Sequence, residues 1–523
     1  MDKLKLDRRS FLRHAAGVVG AATQPVLWPE AGEAENGGAD EKQSELRVEG
    51  IAYPRKFHGR QLKMISFPLG GVAAGSIGLG GRGQLCNWEI FNRPNKGFRP
   101  PYAFASIWAQ AGSQAPVARV LESRILPPYE GQDGLGSENA PGLSRLDSAV
   151  FTGGYPFAHI EFEDKSLPVK VELEAFSPFI PHEPDDSGLP VAILRYRVTN
   201  PNRAATKVSI AFSIDNPVKT GDRSSDRRVN VYRSSSEAAG LYMSNPGLAA
   251  DDPMAGSFVL ATMTRDGARI SHWEGWPKGR WWNAPLLFWD QFSKSGETGA
   301  QPEPHDSVGV LCLQATIAPG KSEDFPFLLG WHFPNRTPEW CGWSAPAGEE
   351  KAIIGNFYAA RFKDSWEAVE YTARNIDSLE ARTRKFADAF RDSSVPGEVK
   401  DAASANLPRW LQQLAFVLPM ASFMALRAAT THADAASEIA RMSGTMRRQL
   451  HFSFLHLRGH CAEAHSATRW MRPERFTSAS CCPREKRDQA LLLRMVKWAR
   501  LFMRGWTGSF PETTHGCEAS GRG

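Results

Sequence analysis

No stretch of this chain runs about 18 residues without a polar interruption, so no membrane-spanning helix is expected. Cysteine is scarce, at seven in 523 residues. Cys86, Cys312 and Cys341 are too scattered for a zinc site and too few for a disulfide scaffold. Cys461, Cys481, Cys482 and Cys517 fit no closed metal-site spacing, so neither metal nor cofactor is expected. A uniform excess of positive charge is also missing. Residues 409–523 hold 17 Lys+Arg against 8 Asp+Glu, a net of +9 in a chain of net +5, which leaves −4 for the first 408 residues. The basic character therefore belongs to the last segment and gives no reason to expect a nucleic-acid partner.

What is present is generous glycine, proline and tryptophan: 46, 36 and 16 residues. That composition suits short strands and ordered loops better than a helical bundle. The length allows two or three domains. Val169–Ala175, Ala192–Val198 and Lys207–Ile214 alternate with period two and are separated by Pro, Gly, Asn and Asp clusters. Val310–Ala315 and Asp324–Gly330, around Pro319-Gly320, read as a late hairpin. The fold class expected is mainly β: a large antiparallel sandwich over 46–344, then a helical linker over 345–408. In that linker Ile353, Phe357, Ala360, Phe362, Trp366, Val369 and Tyr371 form one helical run, and 376–390 a second that Pro396 closes.

At the N-terminus, Asp7-Arg8-Arg9-Ser10-Phe11-Leu12-Arg13 precedes a short apolar stretch ending at Ala22. This resembles a twin-arginine export signal, so 1–45 is set aside as signal and linker. An exported, periplasmic or extracellular protein is expected if the signal works, and a cytoplasmic one otherwise.

Gly78, Gly80 and Gly83 make a G-x-G-x-x-G. A dinucleotide fingerprint needs that motif to open a helix, whose free N–H groups hold the pyrophosphate. Here it runs into Gln84-Leu-Cys-Asn-Trp-Glu-Ile-Phe91 and meets Pro94, so tight turns and close strand approach are expected instead. Trp273, Trp276, Trp281, Trp282, Phe288, Trp289 and Phe292, followed by Trp331, Phe333, Trp340 and Trp343, are either sugar-stacking faces or packing. Glu89, Glu172, Glu174, Asp215 and Asp290 are possible catalytic carboxylates. A retaining glycosidase wants two about 5–5.5 Å apart, which spacing along the chain does not show.

Several stretches in order carry a resemblance. They are 67–95 with its Gly-Gly-x-x-x-Gly-Ser-Ile-Gly core and Asn87-Trp-Glu-Ile-Phe91, then 171–181, Leu189-Pro-Val-Ala192 and Val198-Thr-Asn-Pro201. Leu328-Leu-Gly-Trp-His-Phe-Pro-Asn-Arg336, Phe357-Tyr358 and Phe362-Lys-Asp-Ser-Trp366 complete the set. Over roughly 50–408 the chain resembles glycoside hydrolase family 116, the non-lysosomal glucosylceramidase (bile-acid β-glucosidase) family. The resemblance implies an N-terminal β-sandwich packed on an (α/α)6 barrel that carries both catalytic carboxylates. It also implies retaining hydrolysis of β-glucosides, including glucosylceramide.

The expected barrel is missing or scrambled in the written sequence. Where the family has T-H-V-W-N-Y-E, whose Glu is the nucleophile, this chain has Glu438-Ile-Ala-Arg-Met-Ser-Gly-Thr-Met-Arg-Arg-Gln-Leu450. Codons can be chosen for 437–450 so that the frame two bases on reads G-N-C-T-H-V-W-N-Y-E-A-A. The same offset yields family-like segments in 409–429 and 493–513. The single-codon residues Trp410, Met442, Met446 and Trp506 fix bases that all agree. Residues 409–523 therefore read as an out-of-frame tail without a selected binary pattern. The chain is then expected to lack nucleophile and general acid, and no catalytic, cofactor or metal residue is assigned. The alternative is a non-catalytic carbohydrate-binding sandwich.

Overall fold

The computed structural model describes residues 51–127, 139–219, 226–264, 269–280, 283–342, 345 and 347–408, with the backbone of 415–417 and 423–425. The export signal, and all of the tail but those two short segments, lie outside the described residues.

The strands, in chain order, begin with β1 (Arg55–His58), β2 (Ser66–Leu69), β3 (Ser76–Gly80), β4 (Leu85–Glu89), β5 (Phe104–Ala111) and β6 (Val117–Ser123). Next come β7 (Arg145–Leu146), β8 (Ser148–Gly154), β9 (Phe157–Glu163), β10 (Lys170–Phe176), β11 (Val191–Thr199) and β12 (Thr206–Asp215). The sandwich is completed by β13 (Val229–Ser234), β14 (Ala238–Ser244), β15 (Ser257–Met263), β16 (Arg269–Trp273), β17 (Val308–Ile317) and β18 (Ser322–His332). A nine-stranded sheet runs β1-β8-β9-β10-β11-β18-β15-β14-β13, and a six-stranded sheet runs β16-β17-β12-β5-β6-β7. β2, β3 and β4 form a small third sheet. Beyond these, 415–417 pairs antiparallel with 423–425.

Period-two sequence makes this arrangement by giving each strand one apolar face. Leu173 of β10, Tyr196 of β11 and Phe327 of β18 meet Ile210, Phe212 and Leu311 of the facing sheet in one core. The opposite face of β10 carries Glu172 and Glu174. The three alternating segments read from sequence are β10, β11 and β12, and the sandwich is as expected.

Both sheets are also covered from outside. Helix Ser365–Asp392 lays Trp366, Val369, Ile376 and Leu379 on Val191, Ile193, Val259 and Leu328 of the nine-stranded sheet. Gly330 permits this approach, because a Cβ there would meet Cγ2 of Val369 at 2.4 Å. Helix Ala284–Ser295 packs Phe288 and Phe292 against Phe104, Trp108 and Val310 of the six-stranded sheet.

Two local expectations are corrected. Val310–Ala315 and Asp324–Gly330 lie in β17 and β18, but these strands belong to different sheets and do not form a hairpin. The edges of β17 are taken by β12 and β16, and those of β18 by β11 and β15. The Pro319-Gly320 turn thus crosses between layers, where Gly320 N–H donates to Asn200 O at 2.8 Å beside the β11–β12 crossover. Strand periodicity reports which face is apolar, not which strand is the neighbour.

The helical runs also divide differently. A short helix Phe357–Arg361 ends at Phe362, and one 28-residue helix then runs Ser365–Asp392 through both expected runs. Asp364 sets the break by accepting Glu367 N–H at 2.9 Å as an N-cap. A third helix, Gly397–Pro408, begins just after Pro396. No (α/α)6 barrel is assembled among the described residues.

Candidate functional site

One end of the sandwich gathers its longest loops. There β12 ends at Asp215 opposite the start of β17, and β18 ends at His332 opposite the start of β15. Asn216 ties the two sheets at this end, donating to Val229 O and Ser244 O at 3.1 Å each.

The loops after β4 and β18 are locked together by a buried polar network. Asn92 has φ of 61°, a left-handed conformation that asparagine tolerates better than most residues. Its Nδ2 donates to Phe333 O at 2.9 Å, while its Oδ1 accepts from Arg336 Nη2 at 3.1 Å and Asn356 Nδ2 at 2.8 Å. Arg336 Nε in turn donates to Asn356 Oδ1 at 2.7 Å. Cys341 Sγ lies 2.9 Å from Asn92 O.

Burial lowers the Arg336 pKa, raises Cys341 to about 11 and pushes Tyr358 up to about 12. The thiol and phenol are thus protonated near neutral pH and supply neither nucleophile nor base. Burial lowers His332 as well, and its Nε2 is 2.9 Å from Phe362 O. The network positions loops; it does no proton chemistry of its own.

Trp340 closes the same corner. It stands in a single helical turn, Pro338–Cys341, whose N-cap Thr337 accepts Trp340 N–H at 3.2 Å. Its indole N–H donates to Phe91 O at 2.6 Å, and the Arg93 guanidinium lies 3.9 Å from its ring centroid. Trp340 and Trp289 are part-exposed, whereas Trp88, Trp273, Trp276 and Trp331 are buried. Trp276 stacks on Phe288 at 5.1 Å and 11°. For these buried rings the packing reading holds, since no face is left for a sugar. Trp281, Trp282 and Trp343 lie outside the described residues.

The five carboxylates read from sequence stand on four separate elements. Glu89, in β4, accepts from Lys96 Nζ at 2.7 Å and Asn95 N–H at 3.3 Å. Glu172 and Glu174 share the outer face of β10. Glu172 sits in register between Glu161 and Arg197. Glu174 is held by Arg195 at 3.2 Å and Arg384 at 2.5 Å, with His159 3.5 Å away. Asp215, ending β12, accepts from Arg228 and Ser307 Oγ at 2.7 Å each. Asp290 is exposed on helix Ala284–Ser295. Glu89, Glu174 and Asp215 have structural partners, Glu172 and Asp290 are exposed, and the fold does not gather the five into one cleft.

Two charged groups escaped the sequence reading. Glu380 is pulled upward by burial, but hydrogen bonds from Arg195 and Arg384 outweigh this and hold it below its ordinary value. It clamps helix Ser365–Asp392 to β10 and β11. Asp306 closes the neck of the 277–304 segment, its Oδ1 accepting Trp276 N–H at 3.1 Å and Val308 N–H at 2.9 Å. Burial, with a smaller push from Asp215, raises Asp306 to about 6 against the two amides.

The G-x-G-x-x-G glycines have a structural use. Gly78 and Gly80 lie in β3, and a Cβ on Gly78 would meet Cys86 O at 2.9 Å. Gly83 turns with φ of 101° against Leu121 O. No helix begins there, so the dinucleotide reading is excluded by geometry.

Among solved structures, the chain is similar to a protein provisionally described as a kojibiose phosphorylase from human microbiome, at 9% identity and TM-score 0.29. That match covers 65% of this chain and 39% of that one, and at such a score it carries no argument. The family comparison is of another order: residues 66–379 match the model described as beta-glucosidase 2, glycosyl-hydrolase family 116 N-term. That span takes in all three sheets of the sandwich save β1, and most of the helix laid across it. The chain belongs to glycosyl-hydrolase family 116 through its N-terminal domain.

Proposed function

We propose that this protein is the sandwich portion of a retaining β-glucosidase of the glucosylceramidase type, and that the chain as written does not turn over substrate. The observation carrying the reading is the family match over 66–379 on a domain in which Glu89, Glu174 and Asp215 are engaged in structural contacts. Retention needs a nucleophile and an acid/base on opposite sides of one glycosidic bond. The family motif that would supply the nucleophile corresponds to 437–450, where the written residues differ and permitted codons can spell the motif two bases on. The tail over 409–523 is read as out of frame for that reason. Glucosylceramide as the substrate among β-glucosides, and export through the twin-arginine leader at 7–13, belong to the same proposal.

The test is hydrolysis of 4-nitrophenyl β-D-glucoside by the purified full chain. No release above the buffer rate is expected, and sustained turnover abolished by a mechanism-based β-glucosidase inactivator contradicts the proposal. A non-catalytic carbohydrate-binding role is favoured only by the part-exposed Trp340 at the loop end.

A further inference from the structure

Trp340 differs from the buried tryptophans in being both immobilised and open. Its backbone N–H is fixed by the Thr337 cap, the turn ends at Gly342 with φ of 73°, and its ring N–H is spent on Phe91 O. The ring therefore has one orientation and no remaining polar demand. Beneath it, Cys341 and Asn92 lock the turn to the 91–99 loop through the 2.9 Å contact of Cys341 Sγ with Asn92 O. Such pre-organisation removes the ordering cost that a mobile aromatic side chain would impose on a ligand.

Among the described residues, the charged group that lies over the ring is loosely held. The Arg93 guanidinium is 3.9 Å from the centroid on an exposed residue, and among the described residues no carboxylate pairs with it. Asn92 and Trp340 are anchored, but the Arg93 side chain can leave by rotation. A guanidinium at that distance over an indole occupies the place that the C–H face of a pyranose takes when it stacks.

We propose that Trp340 is a stacking platform for one neutral β-linked hexose ring, with Arg93 as its displaceable cover. The proposal rests on the reading of the domain as carbohydrate-active. It adds a contact residue on the sandwich.

The test uses the full chain labelled with 5-fluorotryptophan and followed by fluorine NMR during titration with methyl β-D-glucoside. Resonances lost in Trp340→Phe and Trp289→Phe assign the two part-exposed rings, and the dispersed signals of the buried rings report that the fold is intact. The Trp340 resonance should shift with saturation in the millimolar range while that of Trp289 stays put. Arg93→Ala should tighten the apparent affinity two- to fivefold by removing the cover. A Trp340 resonance unmoved to the solubility limit overturns the platform, and so does a shift shared equally by both rings. Weaker binding in Arg93→Ala overturns the role given to Arg93. Hydrolysis of the aryl glucoside is scored separately: turnover with an unmoved Trp340 sinks this inference alone, and a saturable Trp340 shift without turnover sustains it.

Discussion

Arg336 donates from Nη2 to Oδ1 of Asn92 over 3.1 Å, joining residues 244 positions apart in the chain. Asn92 accepts from Asn356 as well and donates to Phe333 O, so one side chain satisfies three buried groups. Replacing Asn92 by Ala removes three bonds from this buried network, though Phe333 O and Asn356 keep each other and Tyr358 OH, and should cost about 1–3 kcal/mol. Asn92→Gly loses the same bonds but relieves the Cβ at φ of 61°, and should recover about 1 kcal/mol of that. Urea unfolding of both variants checks the order: Gly above Ala, both below the parent.

Asp306 makes stability depend on pH in an unusual direction for an aspartate. Its folded pKa, about 6, lies above the ordinary 3.8. Its contribution is therefore fully present below pH about 3.8 and is lost as pH rises through about 6. Asp306→Asn keeps an oxygen for the Trp276 and Val308 amides but removes the titration. The variant should be more stable than the parent at pH 7, by on the order of 2 kcal/mol, and match it near pH 4. Thermal unfolding from pH 4 to 7 measures the gap, and an equal offset at every pH would refute the assignment.

Gly330 and Val369 should behave as a coupled pair. A methyl at 330 meets Val369 Cγ2 at 2.4 Å, so Gly330→Ala should destabilise by about 1–3 kcal/mol through overpacking. Val369→Ala alone opens a cavity, yet it also makes room for that methyl. The double variant should be more stable than the sum of the two losses by at least about 1 kcal/mol. Strict additivity in a double-mutant cycle would show that helix Ser365–Asp392 does not rest on β18 at this point.

The clamp on the same helix invites a salt test. Glu380 receives both Arg195 and Arg384, which also reach Glu174. Arg195→Met leaves two part-buried carboxylates sharing Arg384, and should lower stability by about 1–3 kcal/mol at pH 7. Glu380 is held below its ordinary value, so the loss should shrink as pH falls and Glu380 protonates. A loss unchanged between pH 7 and pH 3 would assign the effect to packing of the arginine stem.

The sandwich was legible because alternation in segments such as Val169–Ala175 is a local signal of a two-faced environment. Strand partnership is not local, which is why β17 and β18 read as a hairpin although they lie in opposite sheets. The long helix was visible in its apolar spacing, while its start depended on Asp364 as a cap. The first apparent run joins the second only from Trp366 onward, since 353–362 lie before that cap. The Asn92–Arg336–Asn356 network was invisible because each residue is individually ordinary, and its meaning lies in contacts spanning 244 and 264 positions. The tryptophans gave a composition compatible with sugar faces. Burial of Trp276 and Trp331 at 0% exposure decides for packing there and leaves Trp340 as the part-exposed ring at the loop end.

Whether residues 409–523 are translated out of frame is decided most directly by the encoding DNA. Sequenced from codon 400 onward, the frame two bases on should spell T-H-V-W-N-Y-E within the codons for 437–450 and continue as a helical barrel. Codons there that do not permit this motif would contradict the out-of-frame tail, and with it the reason for proposing that the chain does not turn over substrate.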